Sequence, residues 1–222
     1  MKKAQFRYKL KNYSVSTPES KKIILLISVG QAYHEEKYLL AAVNAINKEK
    51  FGFCTIALAD SLQRHNYSHI NGHESAYAIA LKNGQDWLER NLSIINSLDI
   101  PFEIIHWDQW LADENYLQCQ DAIDFAYTND HNYKYSIDFT IDSFIERTSK
   151  RECFVDKSID TLRSSCLQYL KEECAIIMPL WATLNYDYVI YPKPMTKAME
   201  TTHYMFVAQL SSKVKWLSIN FK

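Results

Sequence analysis

Residues 23–38 read "IILLISVGQAYHEEKY". The five aliphatic residues at its head form an unbroken run, the pattern of a strand buried on both faces rather than on one. Such strands belong to sheets with helices packed on either side. Ser28 ends the run, and Val29 and Gly30 follow as a turn. The chain then enters "HEEKYLLAAVNAINK" (34–48), a helix with Glu35 and Glu36 in the first turn, where the positive end of the helix dipole favours them. A strand that ends in serine and glycine before a helix suits a phosphate loop, a nucleophile or a plain corner.

The alternation continues outward from this unit. "FCTIALAD" (53–60) reads as a second strand, and a long helix runs from near 74 to about 98. Its apolar stripe is Ala76, Ile79, Ala80, Trp87 and Leu88. Pro101 precedes a third strand, "FEIIHW" (102–107), and residues 113–183 are mostly helical, with helices near 114–127, 134–148 and 157–178. "YDYVIYP" (186–192) is a fourth strand, stopped by Pro192. A helix near 196–208 and a strand "VKWLSINF" (214–221) close the pattern. This order predicts an α/β fold, a Rossmann-like parallel sheet flanked by helices. In such sheets ligands bind beyond the carboxyl ends of the strands, where Ser28, Asp60, Asp108 and Tyr191 are expected.

Composition narrows the function classes. The 222 residues are 47% hydrophobic and 23% charged, with only four glycines and five prolines, which fits one domain over residues 1–222 without flexible linkers. The longest apolar run, "AIIMPLWATL" (175–184), falls far short of the roughly 20 residues that span a bilayer, so no membrane partner is expected. The basic N-terminus lacks the apolar block of a secretory signal, and five cysteines form no C-x-x-C pair. Both features predict a cytoplasmic protein with reduced thiols. A net charge of −1 argues against a non-specific nucleic-acid binder but leaves room for a local basic patch. The 15 tyrosines, 10 phenylalanines and 5 tryptophans fit core and pocket walls better than base-stacking surfaces.

Ser28 does not sit in a hydrolase elbow, because G-x-S-x-G needs glycine at 26 and that position is Leu26. There is no G-x-x-x-x-G-K-[ST] phosphate loop. By spacing alone, Ser28 is better read as a serine capping the following turn. In "CLQYLKEECAIIMPLW" (166–181), Tyr169 and Glu173 are four apart on one helical face. A phenol and a carboxylate so placed can hold an amine and move its proton, and apolar neighbours would raise the acid's pKa. Taken alone, the segment reads more simply as a helix with a surface Glu172 and a half-buried tyrosine. His65, His69 and His73 suggest zinc, but Asn66, Asn71 and Gly72 weaken a helix there, and H-E-x-x-H is absent. Arg64 stands just past a strand, free to meet a phosphate or carboxylate, or simply solvent. Lys82, Arg90, Lys150, Arg151, Lys193, Lys197, Lys213 and Lys215 are scattered, so an RNA footprint would have to be assembled by the fold.

In order and content, residues 20–195 resemble the tRNA-dependent cyclodipeptide synthases. That family looks like the catalytic domain of class I tyrosyl- and tryptophanyl-tRNA synthetases without their ATP motifs, and no HIGH-like or KMSKS-like segment occurs here. The resemblance of "ISVGQAYH" implies that Ser28 is the nucleophile, with Leu26, Gly30, Gln31 and Tyr33 around the substrate. "YLKEE" implies that Tyr169 and Glu173 hold the substrate amine, and "IYP" (190–192) adds Tyr191 to the catalytic set. "DSLQRH" (60–65) and "WDQWL" (107–111) look like two further family segments. Gln31 with Tyr191-Pro192 resembles the branch that has a variable residue and Tyr-Pro, rather than the branch with Asn and Tyr-His. Two departures stand out. Leu26 replaces a frequent glycine and should reshape the first aminoacyl pocket, and the long helix carries few of the cations some members have.

The implied reaction is ping-pong, with two aminoacyl-tRNAs as substrates and no cofactor or metal. Ser28 accepts the first aminoacyl group, a second charged tRNA yields a dipeptidyl-enzyme, and ring closure releases a diketopiperazine. Two rivals remain: a non-catalytic binder of charged tRNA, and a serine-dependent hydrolase.

Overall fold

The run at 23–27 lies at the heart of a six-stranded sheet in the computed structural model, which describes residues 2–7, 21–71, 73–148, 158–208 and 214–222. The strands are β1 (Ala4–Phe6), β2 (Lys22–Ser28), β3 (Phe53–Ala59), β4 (Phe102–His106), β5 (Tyr188–Tyr191) and β6 (Lys215–Phe221), in the order β1-β6-β5-β2-β3-β4. β2 is flanked by β3, with Ser28 opposite Ala59, and by β5, with Ile23–Leu25 opposite Tyr188–Ile190. These pairs are parallel, as is β5 with β6. The expected parallel sheet is extended at one edge by a strand the sequence reading did not include: β1 pairs antiparallel with β6. Three residues with no apolar run give a sequence no strand signal; the open edge of β6 supplies the reason to pair.

Side chains alternate across a strand, so β2 feeds two cores. Ile23, Leu25 and Ile27 pack with Leu39, Val43 and Ile46 of α1 (Glu36–Glu49) and Trp87 of α3 (His73–Ile95). Ile24 and Leu26 face the other layer, built from α5 (Tyr116–Asn129), α6 (His131–Thr148) and α7 (Ile159–Ala175). All five aliphatics are at most 2% exposed, and each burial contributes about 2 kcal/mol, which fixes β2 as the rigid centre of the fold. Ser28 follows Ile24 and Leu26 on the same face, and so is carried toward α6 and α7.

Three expectations about elements need correction. Helix α2 (Arg64–Asn71) forms despite its two asparagines. Asp60 starts it by accepting the Ser61 N–H at 2.8 Å over a 3₁₀ turn (Ser61–Gln63), and α2 then packs on α3 and α7. β4 stops at His106, and α4 (Trp107–Leu111) begins at once, so Asp108 lies in a helical first turn rather than at a strand end. α7 does not run on as an α-helix to 178: it widens into a buried π-helical turn, Ile176–Leu180, before the short α8 (Trp181–Thr183). That turn contains Pro179, which has no N–H to give an α-helical carbonyl. α9 (Lys197–Thr202) follows β5 and is prolonged by a second π-helical turn, His203–Val207.

Candidate active site

The turn after β2 is set by Gly30, whose φ of +84° is one that residues with a side chain rarely adopt. Below it, the Ser28 N–H donates to Nδ1 of His34 at 2.9 Å. Nδ1 also lies 3.3 Å from the Ser28 carbonyl oxygen, and burial pushes the pKa of this imidazole down to about 3. His34 is therefore a neutral clasp on the end of β2, anchored in turn by Trp87, whose Nε1–H donates to its carbonyl at 3.0 Å. Nothing in the spacing of "QAYH" marks this histidine for that task.

Ser28 Oγ is hydrogen-bonded to Tyr191 Oη at 3.0 Å, and Tyr191 Oη to Tyr33 Oη at 2.9 Å. β5 lies beside β2, which is how residues 163 apart in sequence come to touch. Burial raises the pKa of both phenols, so they stay protonated. Tyr169 and Glu173 project from α7 into the same space. Burial pushes the Glu173 carboxyl up to about 8, against the opposing hydrogen bond from Tyr169. Tyr169 is itself raised well above its ordinary value by burial and by the charge of Glu173, and it is also bonded to Gln63.

These groups line one cavity of about 240 Å³. Ser28, Gln31, Tyr33 and Tyr191 form the sheet side, Tyr169 and Glu173 the α7 side, and Ile141 and Phe144 of α6 an apolar wall. Six of the eight residues expected around the substrate thus converge. Leu26 and Gly30 are not in the lining: Leu26 lies in the apolar layer with Ile24, and Gly30 shapes the turn above. Chemically, the cavity offers a serine hydroxyl held by a phenol, and an acid that titrates just above neutrality. His34 Nδ1 is taken by the Ser28 backbone, so this is not the Ser–His pairing of a hydrolase triad.

A second polar cluster supports α7 from outside the cavity. Glu172 is buried, not on the surface, and its carboxylate is gripped bidentately by Arg64. It also accepts Trp107 Nε1–H at 2.9 Å and is bonded to His65 Nε2 at 3.1 Å. Burial raises its pKa, but the bonds to His65 and Arg64 outweigh that and hold the carboxyl below the usual range. Arg64 is therefore a structural clamp on a carboxylate. Next to it, buried Asp60 accepts the Ser61 and Trp107 N–H groups and bonds His106 Nδ1 at 2.6 Å, which raises the pKa of His106. "DSLQRH" and "WDQWL" meet here, brought together by the adjacency of β3 and β4.

The side chains of His69 and His73, and Lys150, Arg151 and Lys213, lie outside the described residues. Among the described residues no three His, Cys, Asp or Glu side chains converge as a metal site. Cys54, Cys119, Cys166 and Cys174 are buried free thiols, and Cys153 lies outside the described residues. No described helix is long and apolar enough to cross a membrane.

A scan of family models gives no match, and a search of curated proteins gives none. Solved structures do match. A cyclodipeptide synthase (CDPS) from Fluoribacter dumoffii is 33% identical with a TM-score of 0.92, over 100% of this chain and 99% of that one. The cyclodipeptide synthase from Candidatus Glomeribacter gigasporarum, solved bound to Phe-tRNAPhe, is 17% identical with a TM-score of 0.79, over 96% of this chain and 93% of that one. A Mycobacterium tuberculosis protein, described as demonstrating that cyclodipeptide synthetases are related to type I tRNA synthetases, is 11% identical with a TM-score of 0.69, over 98% and 92%. The last two likenesses are of fold.

Proposed function

The chain belongs to the cyclodipeptide synthase family, and from that premise we propose that it joins two aminoacyl groups, each delivered by a tRNA, into a diketopiperazine through an ester on Ser28. The observation that carries this reading is the meeting, in one cavity, of Ser28 Oγ bonded to Tyr191 with the Tyr169–Glu173 pair. Residues 1–222 work as one catalytic unit. Gln31 with Tyr191-Pro192 supports the Tyr-Pro branch of the family.

In the first step Ser28 Oγ attacks the aminoacyl ester of a charged tRNA. The acyl–oxygen bond to the terminal ribose breaks, and the serine proton ends on that ribose oxygen. Tyr191 and Tyr33, both protonated, orient Oγ and can relay the proton. No ATP is required, because the tRNA ester already stores the activation. In the second step the amine of the Ser28-bound aminoacyl group attacks the ester of a second charged tRNA, whose acyl–oxygen bond breaks so that the tRNA leaves with its ribose hydroxyl restored. The reverse attack would free Ser28 and leave the dipeptide on tRNA, so only this direction gives a dipeptidyl-enzyme. Tyr169 and Glu173 hold that amine, and Glu173 as carboxylate takes its proton. In the last step the new terminal amine attacks the Ser28 ester, closing the six-membered ring and returning the serine hydroxyl. Holding the dipeptide as an ester beside its own amine makes closure intramolecular.

Radiolabelled aminoacyl-tRNA should label the wild-type protein covalently and Ser28→Ala not at all. Labelling that persists in Ser28→Ala would remove the serine from its role. A wild-type protein that binds charged tRNA without consuming its ester would instead be the non-catalytic binder.

A further inference from the structure

Pro192, Lys193 and Pro194 leave β5 immediately after Tyr191. Pro192 fixes its own φ, and Pro194 confines the residue before it to extended backbone, so Lys193 stands in an unusually stiff segment. β6 anchors it further. The Lys193 carbonyl accepts Trp216 Nε1–H at 2.8 Å and the Ser218 hydroxyl at 3.3 Å. The Trp216 ring also packs on Tyr191, with centroids 5.5 Å apart. From this mount the exposed Lys193 side chain sets its ammonium 5.4 Å from the centre of the Tyr33 ring. One ring and two hydrogen bonds separate that charge from Ser28 Oγ.

Among the described residues, no carboxylate pairs with Lys193. The cations of the long helix α3 are engaged otherwise: Lys82 pairs with Asp86, and Arg90 with Glu35. α3 also carries Glu74 and Glu89, so it offers no positive rail. An aminoacyl group seated at Ser28 must leave the ribose that carries it, and the 5′-phosphate of that same nucleotide, at the opening of the cavity. A compact ammonium on a stiff mount suits that phosphate, and little side-chain or backbone freedom is lost when it binds.

We propose that Lys193 binds the phosphate of the 3′-terminal nucleotide of the charged tRNA, with Arg147, an exposed cation of the cavity lining on α6, as its second cation. This rests on reading the cavity as the aminoacyl site. A separate cluster of cations among the described residues, Lys2, Lys3 and Lys48 in the groove between β1 and α1, is then not the acceptor-end contact.

The test is cyclodipeptide formation from charged tRNA by wild type, Lys193→Gln, Lys193→Arg and Lys48→Gln across a salt series. Lys193→Gln should raise KM about tenfold with kcat nearly unchanged, and lower the slope of log kcat/KM against log salt by about 0.7, one single-strand phosphate contact. Lys193→Arg should keep the wild-type slope, as should Lys48→Gln. With 3′-aminoacyl-adenosine, which lacks the phosphate, ester consumption by Lys193→Gln should equal that of wild type. An unchanged slope in Lys193→Gln, or a lowered one in Lys48→Gln, overturns the proposal while the functional reading stands. A wild type that makes no cyclodipeptide overturns both.

Discussion

Glu173 sits between two demands at the scale of single residues. Its burial beside Tyr169 lifts its pKa to about 8, yet taking a proton from an amine requires the carboxylate. kcat/KM should therefore climb as pH rises toward 8, and the wild-type to Glu173→Gln ratio should climb with it, since titration of the substrate amine is common to both. A flat ratio would remove Glu173 from proton transfer. The same shift acts on stability. Below about 4.5 the acid is neutral in both folded and unfolded chains. Between there and about 8 only the unfolded chain sheds its proton, so stability falls across that window and levels off above it. Glu173→Gln should escape the loss, and a pH series of thermal melts should show its Tm overtaking the wild type in alkali. Tyr169 and Glu173 were legible as a pair on one helical face, and Ser28 and Tyr191 as strand ends, but only the family resemblance singled out these four together. His34 and Glu172 were not. Their roles depend on a backbone N–H and on three donors from distant segments, and neither leaves a periodic trace.

The packing of α3 against the end of β3 is as specific at the scale of elements. Gly84 faces Asp60 so closely that an added Cβ would stand 2.4 Å from the Asp60 Cβ. Alanine is the better helix former by about 1 kcal/mol, but relieving that overlap costs about 1–3 kcal/mol and moves the carboxylate that holds His106 and Trp107. Gly84→Ala should lower Tm by up to about 8 °C, read by calorimetry. A rise would mean that α3 is free to shift away from β3. The strong elements, β2, β3 and α1, were readable from apolar period alone. α2 and α4 were not, because neither carries its own stability: α2 is started by Asp60 and fixed through Arg64 and His65 to Glu172, and α4 is capped when His106 N–H donates to Gln109. The edge strand β1 likewise exists through its partner β6.

One sheet order explains the whole molecule's chemistry. Placing β5 beside β2 brings Tyr191 to Ser28, and placing β3 and β4 beyond β2 builds the buried cluster that holds α7 with Glu173 facing inward. The sequence pattern indicated a parallel sheet but not which strands are neighbours, so the cavity could be named by its residues and not drawn. The most direct measurement is mass spectrometry of the product when the purified chain is given a mixture of charged tRNAs. The structure and its family lead to a cyclodipeptide, formed by wild type and absent with Ser28→Ala. Free amino acids or linear dipeptides as the only products, or a cyclodipeptide still formed by Ser28→Ala, would contradict synthesis through a serine ester.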